Sequence, residues 1–189
     1  MMTQENYYSD ITRQSYSRQD FLHMIEKRVR KYMRVTLQFN TKKFYVVLSS
    51  YPLATTLLKS IFTSLFEDRL DFVCVSSSEE ADDYIVQGRL LILDDFLESY
   101  LQKNLQVFFQ ALSPEEITKQ TLAPLQYLSL NELHLYGQAQ NIDQKIILPD
   151  TSELRFINSI QEKYPQTKSS MLKTFFFIET FAKESAKDL

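Results

Sequence analysis

The sequence predicts an α/β domain: a small parallel sheet flanked by helices, followed by a helical C-terminal part. Three observations carry this. Short apolar runs at Phe44–Leu48, Asp71–Val75 and Arg89–Leu93 read as buried strands, the first of them rich in β-branched and aromatic residues. Segments of helical period separate them, which is the alternation of βαβ units. From Asp150 onward only helical patterns remain.

The 189 residues suit one domain with a small appendage. At 44% hydrophobic the chain can bury a sizeable core. The expected division is an N-terminal arm over 1–17, an α/β domain over 18–148 and helices over 149–189.

Formal net charge is -3, so the molecule as a whole makes no case for nucleic acid. The distribution is uneven. Residues 1–60 carry 10 Lys and Arg against 4 Asp and Glu, and residues 61–189 carry 11 against 20. A basic N-terminal third on an acidic body suggests an interaction face; a solvated helix face is the plainer alternative. The one cysteine, Cys74, lies inside an apolar run. It excludes a disulfide framework within the chain and a cysteine zinc cage, and it fits a reducing compartment. No stretch approaches the roughly 20 apolar residues of a membrane span. The polar N-terminus lacks the apolar core of a signal peptide. A cytoplasmic protein with no membrane partner is expected.

Met1–Ser17 is polar, with Tyr7, Tyr8 and Tyr16 as anchors, and reads as a loose or partly docked arm. Ser17 can cap a helix starting at Arg18, with Asp20 in its first turn, where the dipole favours negative charge. Phe21, Met24, Ile25, Arg28, Val29 and Tyr32 spread over one broad face of this helix. Lys27, Arg30, Lys31 and Arg34 crowd the other side and the C-terminal end. A phosphate-contacting helix and an ordinary amphipathic helix both fit. His23 and His134 stand alone and are given no role.

Phe44–Leu48 is the first strand. Ser49-Ser50-Tyr51-Pro52 is a polar turn, and apolar residues at Leu53, Leu57, Leu58, Ile61, Leu65 and Phe66 then follow a helical period. In α/β proteins such a strand–loop–helix unit is where nucleotide phosphates sit, on amides at the helix N-terminus. A phosphate cradle needs glycine for close backbone approach. This loop has none, and Tyr51 and Leu53 put bulk where the anion would lie. The place is right and the chemistry is gone.

Asp71–Val75 is the second strand. Ser76–Asp83 reads as an acidic loop or a short helix capped by Ser77 or Ser78. Gln87-Gly88 turns into the third strand, Arg89–Leu93. Asp94-Asp95 follows at once; two carboxylates there are either catalytic or N-caps of the helix Phe96–Leu112. Glu115–Thr121 reads as helical in part, and Leu122–Leu128 as an extended segment entering a turn. Ser129-Leu-Asn-Glu132 is a capping box opening a helix that Gly137 weakens or ends. Asp143–Leu148 is a short apolar piece. Asp150-Thr-Ser-Glu153 starts another helix, broken at Tyr164-Pro165. The last helix carries Phe175-Phe176-Phe177, aromatics around more than half its circumference, for which burial in the core is the commoner explanation and a partner surface the other.

Taken together, these stretches resemble the cytoplasmic tRNA 2-thiolation protein 2 family, within the PP-loop ATP pyrophosphatase superfamily. That superfamily's signature is strand, Ser-Gly-Gly-x-Asp/Ser-Ser, then a helix with Leu-Leu. Ser49, Pro52 and Leu57-Leu58 match it; both glycines and the last acidic or serine positions are replaced. Phe21–Arg34 resembles the family's basic helix, Leu91–Leu97 the strand and polar turn of the second signature, Pro124–Tyr136 its Pro-Leu/Met-Arg…Glu-Val-x-x-Tyr motif, and Phe156–Thr167 its C-terminal Leu-Gln-Glu-x-Phe-Pro-Ser-Thr. The family's cysteine pairs are absent.

The resemblance implies a PP-loop (adenine nucleotide alpha hydrolase-like) fold and a non-catalytic subunit. That subunit would form a heterodimer with a catalytic PP-loop thiolase, helping to hold tRNA while sulfur arrives from a ubiquitin-like carrier. The degenerate nucleotide loop is then Ser49, Ser50, Tyr51, Pro52, Leu53 and Ala54, and no ATP, zinc or iron–sulfur cofactor is expected. Phosphate contact falls to Lys27, Arg28, Arg30, Lys31 and Arg34. A protein-only adaptor is the second reading, and an active ATP-dependent enzyme with an unusual loop the third.

Overall fold

The computed structural model describes residues 6–35, 44–66, 71–109, 121–142 and 145–185. The N-terminal segment is more than an arm. It forms an antiparallel hairpin, β1 (Tyr7–Ser9) and β2 (Gln14–Tyr16). Arg13 closes its turn in the left-handed region, φ 57°, and donates to the Ser9 carbonyl at 2.8 Å. Tyr7 stacks on Phe21 with ring centroids 5.4 Å apart, and both are buried. A polar segment without strand alternation is thus held by two anchors, one aromatic and one polar, the latter through Ser9.

Helix α1 (Arg18–Val35) follows. Ser17 caps it as expected, its hydroxyl accepting from the Asp20 amide at 3.3 Å. Phe21, Ile25, Val29 and Met33 form its buried stripe. The first sheet unit is β3 (Phe44–Leu48) and α2 (Pro52–Phe66). The helix begins at Pro52, where a missing N–H costs nothing. Then come β4 (Asp71–Val75), α3 (Ser78–Val86), β5 (Leu90–Leu93), α4 (Leu97–Phe109) and a two-residue strand, β6 (Thr121–Leu122). Ser77 caps α3 by accepting from the Glu80 amide at 3.2 Å, which resolves the acidic stretch as a helix start. The helix expected to run to Leu112 is described to Phe109; residues 110–120, with the helical reading of Glu115–Thr121, lie outside the described residues.

The four strands are parallel in the order β4-β3-β5-β6. Side chains alternate across the sheet. Tyr45, Val47 and Ile92 pack with α1, α2 and α5, while Val46 and Val75 pack with Ala81 of α3. Helices therefore cover both faces, as parallel sheets require.

After the turn Ala123–Leu128, α5 (Leu130–Ala139) opens on the expected capping box, with Ser129 and Glu132 each accepting from the other's backbone amide. His134 has a structural part: its Nε2 accepts from the Ile146 amide at 3.0 Å, fixing the chain after α5. Residues 143–144 of the short apolar piece lie outside the described residues. Helices α6 (Ser152–Lys163, capped by Thr151) and α7 (Thr167–Ser185) pack on α4 around Leu97, Leu101, Leu105, Leu154, Ile157 and Leu172. Core burial of the aromatic run holds only in part: Phe175 is partly buried against this cluster, whereas Phe177 is 72% exposed and Ile178 is exposed beside it. Among the described residues no helix is long and apolar enough to cross a membrane.

Tyr136, fully buried in α5, donates to Glu26 Oε1 at 3.3 Å. Burial first, then the Glu26 charge, push its phenol up from 10.0 to about 12. A folded pKa above the unfolded one means this contribution is intact below pH 10 and lost as pH rises through 12. Stability should fall by about 2–3 kcal/mol over that window through this group alone. Urea unfolding at stepped alkaline pH checks this, with Tyr136→Phe expected to flatten the slope.

Candidate functional site

In an open parallel sheet the ligand crevice lies outside the C-terminal ends of the strands, where the chain reverses its direction of winding. Here the chain leaves β3 for β4 on one side and returns to β5 on the other. The switch point is thus between β3 and β5. Register fixes what meets there. Leu48 pairs with Leu93, so Ser49 and Asp94, the next residues, emerge side by side.

Asp94 fills the crevice. Its Oδ1 accepts from the Ser50 amide at 3.1 Å. Its Oδ2 accepts from the Tyr51 amide at 2.7 Å and from the Thr55 hydroxyl at 2.9 Å. Both oxygens accept, which is the bonding of an ionised carboxylate. The side chain is fully buried. Burial pushes its carboxyl above the usual carboxylate range, against the pull of the Tyr51, Thr55 and Ser50 bonds. These donors at the N-terminus of α2 are the ones a phosphate would need. The protein's own carboxylate takes them.

The rest of the loop closes around it. The Thr55 hydroxyl, its one proton given to Asp94, accepts from the Ser49 hydroxyl at 2.8 Å, and the Ser49 amide donates to the Val75 carbonyl at 2.8 Å. Tyr51 packs edge-on against Phe96, with centroids 5.3 Å apart. Leu53 and Ala54 point into the core, and Ser50 and Pro52 are exposed.

The N-cap reading of Asp94-Asp95 is corrected: Asp94 serves α2, 39 residues upstream at Thr55, and not α4. Asp95 accepts from Ser99 Oγ at 3.2 Å and pairs with Lys103 at 2.7 Å. Glu98 accepts from the Leu130 amide at 2.8 Å, capping α5, and from Lys168 Nζ at 2.8 Å, holding α7. Asp94 and Glu98 thus tie α2, α5 and α7 to the segment after β5, while Asp95 pairs with Lys103 of α4. Sequence reasoning missed the partners of Asp94 and Glu98, because strand order and helix packing decide them.

The basic helix divides in two. Lys27, Arg30, Lys31 and Arg34 are exposed, at a spacing of i, i+3, i+4 and i+7 that makes one stripe. Arg28 turns inward. Its Nη1 pairs with Glu132 Oε2 at 2.7 Å and donates to the Tyr127 carbonyl at 3.4 Å. Glu132 is fully buried and also accepts from Ser9 of the hairpin. Burial pushes its carboxyl up; Arg28 and Ser9 pull it back down. Ser129, which caps α5, donates to Asp10 at 2.5 Å. Hairpin, α1 and α5 therefore meet in one buried polar network, and Arg28 belongs to it.

No family model matches the sequence, and no curated protein matches it. Among solved structures the chain is similar to the U34-tRNA thiolase NcsA from Methanococcus maripaludis, solved with its 4Fe-4S cluster. The TM-score is 0.68 at 11% sequence identity, covering 94% of this chain and 88% of that one. The fold is a PP-loop fold.

At this identity the likeness is one of fold. The residues here do not fit a cluster like NcsA's. Such clusters are held by several cysteine thiolates, and this chain has one, Cys74, half-buried in β4. Among the described residues no group of three or more His, Cys, Asp or Glu could hold a metal ion.

Proposed function

We propose that the chain is a non-catalytic PP-loop subunit of a cytoplasmic tRNA wobble-uridine 2-thiolation complex, supporting a catalytic thiolase and binding tRNA. The observation that carries this is Asp94 in the anion cradle. The Ser50 and Tyr51 amides and the Thr55 hydroxyl already hold an internal carboxylate in place of ATP phosphates, and Tyr51 in place of glycine adds bulk where they would approach. The neighbour of like fold is a U34-tRNA thiolase, which supplies the reaction class. In this reading the partner adenylates the uridine carbonyl and receives sulfur from a ubiquitin-like carrier. This chain adds shape and charge.

The exposed stripe Lys27, Arg30, Lys31 and Arg34 is the phosphate-contacting element of the reading. Reversing Lys27, Arg30 and Lys31 to Glu should weaken tRNA retention about tenfold or more at moderate salt, with a shallower salt dependence. Filter binding at several salt concentrations measures it. Unchanged retention by a folded variant removes the stripe from the account.

A protein-only adaptor is the second reading, favoured by the exposed apolar side chains Phe108, Phe109, Phe156, Tyr164, Phe177 and Ile178 on α4, α7 and the α6 region. A pull-down of the tagged chain at low salt, with bound proteins identified by mass and bound RNA sequenced, separates the two. A second PP-loop protein with an intact glycine loop, together with wobble-uridine tRNAs, supports the subunit reading. Stoichiometric protein without tRNA supports the adaptor.

A further inference from the structure

We draw no further inference here: the strongest candidate, the apolar cleft between α4 and α7 lined by Leu105, Phe108, Tyr164, Met171, Phe175 and Ile178, carries nothing, because nothing in the structure shows what covers it.

Discussion

Arg28→Met should destabilise the protein by about 3–5 kcal/mol, the usual cost of removing one partner from a buried ion pair. Methionine keeps most of the length and the apolar stem, so the loss is chiefly that of charge. Glu132 is fully buried and would keep only its bonds from Ser9 and the Ser129 amide. The damage should spread, because Glu132 joins the hairpin, the α5 cap and α1. Glu132→Gln in the Arg28→Met background should recover part of the loss, since it removes the stranded charge. The pH dependence has a definite sign. Burial already places the folded Glu132 pKa above its ordinary 4.5, and losing Arg28 raises it further. A raised folded pKa contributes stability that is complete below the unfolded value and lost as pH rises through the folded one. Arg28→Met should therefore be closer to the parent at pH 4–5 than at pH 8. Urea unfolding at the two pH values reads both effects.

Asp94→Ala should cost about 2–4 kcal/mol. It strips the acceptor from the Ser50 and Tyr51 amides and the Thr55 hydroxyl, and buried donors left unpaired cost about 1–3 kcal/mol each before relaxation. It also removes a negative charge from the positive end of α2. The contrast is Asp95→Asn. Asp95 is buried as well, but asparagine keeps an acceptor oxygen for Ser99 and Lys103 and the half-exposed Lys103 can return to water, so the change should cost only about 1–2 kcal/mol. Asp94→Ala leaves a carboxylate-sized gap facing these donors. Formate at tens of millimolar should then raise the melting temperature of the variant and leave the parent unmoved. Equal response of both proteins would mean the gap is not an anion site.

Much of this architecture was legible locally. Phe44–Leu48 and Asp71–Val75 announce strands through β-branched and aromatic side chains. Ser129 with Glu132, and Ser17 with Asp20, announce helix starts through caps. The absence of glycine between Ser49 and Pro52 set this loop apart from a phosphate cradle. What fills the loop was not legible. Asp94 looks like the cap of the helix it precedes, and only the β3–β5 register turns it toward Ser50 and Tyr51. Arg28 looks like one more cation of the stripe, and its partner lies 104 residues away. The hairpin at Tyr7–Tyr16 has no alternation to mark it; it is held by Phe21 on the helix that follows and by Glu132, 123 residues from Ser9. Burial of Phe175–Phe177 was inferred from hydrophobicity, which does not say on which side of α7 a neighbour lies. In each case local pattern formed the element, and long-range packing decided what its polar and aromatic groups meet.

The central proposal is that Asp94 closes the nucleotide loop, and that the chain acts within a PP-loop assembly without binding ATP itself. A calorimetric titration of magnesium–ATP into the purified full chain tests it most directly. The account predicts no saturable binding up to about millimolar ATP. Saturable micromolar binding, abolished by Thr55→Val in a folded protein, would contradict it and make the chain an ATP-binding enzyme with an unusual loop.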